Sequence, residues 1–128
     1  MKFGHLCFVA LLATSTQAFA STTICQVDGK LSDPEVVSWD SVSQKAKIKY
    51  WTGRSYEGTL TLTRKHNTGT KVNLSFKPDP IYGDEYEYIV FSVPGGGHRV
   101  LGAGFVHTNG TKRLNYGLGS YEATCSSL

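Results

Sequence analysis

After its first twenty residues this chain has no apolar run long enough to cross a bilayer, which takes about 20 residues. No long stretch repeats its apolar residues at period 3.6, so amphipathic helices are not expected. Cysteine is scarce, with three in 128 residues, and none has the close-spaced partners of a zinc motif. Neither HExxH nor Gly-x-Ser-x-Gly occurs, which removes the zincin helix and the nucleophile elbow. The charge imbalance is also small, at a formal +3. A nucleic-acid binder would concentrate basic residues with stacking aromatics on one face, so that class is not expected. No metal or cofactor is expected either.

The beginning of the chain is more specific. MKFGHLCFVALLATSTQAFA has a positive start at Lys2, a short apolar run from Leu6 to Ala13, and small residues at Ala18 and Ala20. That is the pattern of a secretory signal peptide, residues 1–20, with cleavage after Ala20. Cys7 and Cys25 follow Leu6 and Ile24, so neither has the small preceding residue of a lipoprotein site. The expected product is a soluble secreted or periplasmic protein, Ser21–Leu128, forming a single domain large enough to bury a core. Without Lys2 it carries twelve basic against ten acidic side chains.

Cys25 and Cys125 then remain, one near each end of the mature chain. Two thiols in an oxidising compartment usually pair. Closing a loop of that length stabilises by about 4.7 kcal/mol in the chain-entropy model. A disulfide between the first and last strands is therefore expected.

What fills the middle is alternation at period 2. In KAKIKYW, Ala46, Ile48 and Tyr50 share one face and Lys45, Lys47 and Lys49 the other. Leu60 and Leu62 share a face, as do Val72, Leu74 and Phe76. His66-Asn67-Thr68-Gly69 suits a bulged hairpin, with Leu62 expected opposite Leu74. Pro78 and Pro80 limit the next strand. EYEYIVFSV has apolar residues on both faces and is expected to be covered on both sides, at least in part. VVSW suits a short strand or a tight bend.

Val93 to Gly119 holds eight of the fourteen glycines. Gly95-Gly96-Gly97 leads into Arg99-Val100-Leu101, a strand and not a helix, so it is not a phosphate loop. Asn109-Gly110 signals a two-residue hairpin. With Thr108 opposite Thr111, Gly102 is expected opposite Gly117, Gly104 opposite Asn115 and Val100 opposite Gly119, all four glycines on one face. Such a face relieves crowding where strands coil sharply, or lets an aromatic ring lie on bare backbone.

The expected fold is all-β: an antiparallel meander of about seven to nine strands, closed as a small barrel, with a β-sandwich as the alternative. Leu60, Leu62, Leu74, Phe76, Phe105 and Leu114 are expected to fill its interior.

Successive hairpins of a meander alternate between its ends. One end then gathers the candidate binding residues Trp51, Arg54, Tyr56, Tyr82 and Asp84. Trp, Tyr and Arg are the types that most often anchor interfaces. The other end receives His66, Asn67, the triple glycine, His98 and Arg99. Asp79, Asp84, Glu85 and Glu87 are expected to be solvated in a loop, and no residue is assigned a catalytic role. A protein-binding module, inhibitor-like or surface-interacting, is the preferred reading. A carrier of a small apolar ligand inside the barrel and a small secreted hydrolase are the alternatives.

ICQVDGK near the start and ATC at the end resemble the frame of small bacterial periplasmic lysozyme inhibitors. The spacing differs by a residue, the chain is longer, and no inhibitory loop matches, so no residue role is carried over. Asn73-Leu74-Ser75 and Asn109-Gly110-Thr111 fit the N-glycosylation pattern, which matters only in a eukaryotic source.

Overall fold

The Lys45–Tyr50 run shows how alternation becomes structure. Ala46 and Ile48 are buried, and Lys45, Lys47 and Lys49 are exposed. A pleated strand points successive side chains to opposite faces, so one parity enters the core and the other meets water. The computed structural model describes residues 21–67, 69–79 and 84–127. The proposed signal segment and Tyr82 lie outside the described residues.

Eight strands form: β1 (Thr22–Asp28), β2 (Pro34–Asp40), β3 (Lys45–Tyr50), β4 (Ser55–His66), β5 (Gly69–Asp79), β6 (Asp84–Ser92), β7 (His98–Thr108) and β8 (Thr111–Ser127). Each pairs antiparallel with its neighbours in sequence, and β1 also pairs with β8, so the sheet is a closed barrel and not a sandwich. VVSW belongs to a full strand, β2.

The seam runs from Thr23 opposite Ser127 to Asp28 opposite Glu122. Cys25 lies opposite Cys125 in that register, and a disulfide joins them. The interior is filled. Val37, Ile48, Leu74, Phe76, Tyr88, Val90 and Val100 are all but inaccessible. Phe76 and Tyr88 meet edge to face, with centroids 6.2 Å apart.

The turns follow their residues. Asn109 and Gly110 have φ of 52° and 77°, as a two-residue hairpin requires. At the β2–β3 turn the Asp40 carboxylate accepts from the Ser43 and Val42 amides at 2.9 and 2.8 Å and from Ser21 Oγ at 2.8 Å. Those donors hold its pKa down to about 2.

Several expectations are corrected by bulges, which insert an unpaired residue and flip the parity beyond it. A register shift between Leu60 and Leu62 puts Leu60, not Leu62, opposite Leu74. Leu62 falls opposite Asn73 and is 38% exposed. Two further shifts in the β7–β8 pair put Gly102 opposite Gly119 and Gly104 opposite Tyr116. Gly117 lies opposite Ala103, so the four glycines do not share one face. Phe105 pairs with Leu114 in the expected register, but on the parity opposite to buried Val100 and Gly104; Leu114 is 68% exposed, so these two do not fill the interior. The outer parity of β6 is covered in part, as expected: Glu85 is buried, and Glu87, Ile89 and Phe91 are half-buried.

The acidic cluster is also not a solvated loop. Glu85 and Glu87 lie on β6, and Glu85 is buried. Glu85 accepts from Lys112 Nζ at 2.7 Å and contacts His107 Nε2 at 3.2 Å, while Lys112 also pairs with Glu87. Burial opposes the Glu85 charge, but the Lys112 and His107 contacts outweigh it and hold the carboxyl below its usual range.

The glycines make room for rings. A methyl at Gly102 would overlap the Tyr88 ring and come within 2.9 Å of Leu118 Cβ. Gly104 faces the Tyr116 ring, and Gly119 faces Tyr121. A methyl at Gly117 would meet nothing within 4 Å. Gly102→Ala is therefore expected to cost about 1–3 kcal/mol by overpacking, and Gly117→Ala no more than about 0.5 kcal/mol. Urea unfolding of both variants checks this; equal losses would contradict the ring-on-backbone packing.

Candidate functional site

Antiparallel connection sends the turns 29–33, 51–54 and 109–110 to one end of the barrel, together with the end of β5 at Asp79 and the start of β6 at Asp84. The first two touch, since the Trp51 amide donates to Asp33 O at 3.1 Å. The walls of this end are unequal. β8 pairs with β1 only from Glu122 onward, so the β7–β8 hairpin stands well above the β1–β2 turn.

Tyrosines line the hollow between these walls. Tyr50 ends β3 on the parity of Ala46 and Ile48, and Tyr56 lies opposite Ile48 on β4. Tyr86 and Tyr88 come from β6, and Tyr121 lies opposite Val100 on β8. Tyr116 reaches Tyr86 over Gly104. Six of the chain's seven tyrosines therefore converge, and the seventh is Tyr82. The cavity is about 520 Å³, and Asp33, Pro34, Arg54 and Leu118 are among its other lining residues.

The phenols are tied to one another. Tyr50 and Tyr88 hydroxyls lie 3.0 Å apart. Tyr121 donates to Leu118 O at 2.7 Å and Asp33 Oδ1 at 3.0 Å. Tyr50 meets Tyr56 edge to face at 5.9 Å, and Tyr56 meets Tyr86 at 6.5 Å. Burial raises the Tyr50 and Tyr88 phenols, and the bond to Tyr116 raises Tyr86. Burial and the Asp33 carboxylate push Tyr121 up to about 12. These four remain protonated near neutral pH, so they offer hydrogen bonds and ring surface and not a general base.

Of the residues singled out from sequence, Arg54 and Tyr56 line the bowl. Trp51 is half-exposed on the adjacent turn, and Asp84 opens β6 opposite Asp79, outside the lining. Sequence reasoning missed Tyr50, Tyr86, Tyr88, Tyr116, Tyr121 and Asp33. Their signal is the inward parity of tyrosines in KIKYW, EYEY and NYGLGSY, near the ends of the strands.

The opposite mouth is different in character. Hydroxyls of Thr23, Ser41, Thr63, Thr70 and Ser92 line a hollow of about 310 Å³ beside Trp39. Ser92 Oγ lies 3.5 Å from His98 Nε2, but no carboxylate among the described residues bonds to that imidazole. The pair thus lacks the orienting group of a catalytic triad. Among the described residues no group of three metal-ligating side chains forms, and no helix is long and apolar enough to cross a membrane.

Comparison with protein-family models, curated proteins and solved structures finds no match to this chain.

The raised phenols have a measurable consequence. A group whose folded pKa is raised confers stability below its unfolded pKa, near 10 for tyrosine, and loses it as pH climbs toward the folded value. In a tyrosinate absorbance titration, Tyr86, Tyr88 and Tyr121 are expected to stay un-ionised in the folded protein at about pH 11. Denaturant at the same pH should release their absorbance. Full ionisation of the folded protein there would contradict the bowl's hydrogen bonding.

Proposed function

We propose that this protein is a small exported recognition module that binds a protein partner in the tyrosine bowl. The observation that carries the reading is the convergence of six tyrosines with Arg54 and Asp33 at one rim of a rigid barrel. Tyrosine supplies a large amphipathic surface at the cost of only two side-chain rotors, and Tyr and Arg are enriched where interfaces hold their energy. Pre-bonded rings lose little freedom on binding, which lowers the entropic cost of association. A disulfide between the chain's two ends is compatible with the oxidising compartment in which such a module would work.

The filled interior favours this reading over a carrier with an enclosed cup. A small apolar ligand would have to occupy the bowl itself, whose volume lies within the range of small-molecule sites. The hydrolase reading draws no support from the Ser92–His98 pair as it stands.

The test compares wild type with an Arg54→Ala, Tyr56→Ala variant in capture from the exported proteins of the source cell. The captured protein is then titrated against both. A partner that uses the bowl is expected to lose at least about tenfold in affinity, or about 1.4 kcal/mol. Circular dichroism establishes that the variant is folded. A partner retained equally by the variant would contradict the reading, and native mass spectrometry showing a bound small molecule would favour the carrier.

A further inference from the structure

We propose that the open edge of β4, from Thr61 to His66, is a second recognition surface that takes an extended, acidic segment of another protein by strand addition. It stands apart from the bowl and does not depend on it.

The edge arises from unequal strand lengths. β4 has twelve residues and its neighbour β3 has six. Their pairing ends at Lys45 opposite Thr59, and the last backbone bond runs from the Leu60 amide to Gln44 O at 2.8 Å. Beyond it β4 continues, paired on its other side from Leu62 opposite Asn73 to His66 opposite Gly69. All six residues from Thr61 to His66 are exposed. Alternate residues of an antiparallel strand turn their N–H and C=O groups away from the paired side. Here those groups meet no backbone partner among the described residues. They are the groups that strand addition uses.

Charge and apolar surface select the occupant. From Gly58 to Pro78 the chain carries Arg64, Lys65, Lys71 and Lys77 and no acidic residue. Lys45 adds a further cation where β3 stops. Proteins place charges of one sign on edges to prevent self-pairing, and that protection fails only against the opposite sign. A second copy, presenting Arg64 and Lys65 again, is repelled; an acidic strand is attracted. Leu62, at 38% exposure, offers an apolar contact on the edge itself. A longer unpaired edge, on β8 before Glu122, is interrupted by two register shifts and presents no regular ladder.

The test titrates isotope-labelled protein, at low salt, with acetyl-(Glu-Val)4-amide and with its Lys-Val counterpart, and follows backbone amides by NMR. The acidic peptide is expected to shift the amides of Thr61–His66 and to bind at least about tenfold more tightly than the basic one. A charge-swapped variant, Arg64→Glu with Lys65→Glu, keeps exposed positions polar and is expected to reverse that preference. The unperturbed amides elsewhere report that it is folded. The proposal is overturned if the acidic peptide shifts no amide at millimolar concentration, or if the shifts lie in the bowl or spread over all lysines. It is equally overturned if the charge swap leaves the preference unchanged, or if the same amides shift with protein concentration alone, which is self-association.

Discussion

β1 meets β8 across a seam about six residues long, and that ladder turns a ribbon of hairpins into a vessel with two distinct ends. Without it the β1–β2 turn and the β7–β8 hairpin would be the far margins of an open sheet. With it, Asp33 from one margin comes within 3.0 Å of the Tyr121 hydroxyl from the other. The seam also pairs backbone groups that would otherwise template aggregation. The Cys25–Cys125 link closes a loop of 100 residues, so it removes unfolded-state entropy where the ladder is most distant in sequence.

Closure alone does not make the bowl; stagger and glycine do. The long β7–β8 hairpin rises over a short β1–β2 turn and leaves the mouth deep on one side. Gly102, Gly104 and Gly119 then omit the side chains that would exclude Tyr88, Tyr116 and Tyr121. One property, the absence of Cβ, therefore links the sequence's most conspicuous composition bias to its most organised surface. The stagger that deepens the bowl is matched by β4 running past the end of β3, so a closed barrel still exposes backbone at its side.

The legible part of this architecture is the part set by parity. Lys45–Tyr50 and Val72–Phe76 reveal their buried faces because every second residue is apolar without interruption. Asn109-Gly110 reveals its hairpin because both positions need positive φ. The bulges are not legible. Nothing in TLTLT marks the shift near Thr61, and one inserted residue turns Leu62 from core to surface. The same cause moves Gly117, whereas Leu114 keeps its expected partner Phe105 and is exposed because that pair lies on the outer parity of β7. Rim residues are readable only through loop alternation, which brings in Arg54 and Tyr56. The remaining tyrosines sit within strands, where an inward ring reads as core until the depth of the mouth is known.

The most direct measurement of the central claim is the set of cross-strand nuclear Overhauser contacts between β1 and β8 in the oxidised protein. The account predicts contacts in the register from Thr23–Ser127 to Asp28–Glu122, with slow exchange of the paired amides. Absence of those contacts, with β1 and β8 amides exchanging as freely as an exposed edge, would contradict a closed barrel and the bowl that depends on it.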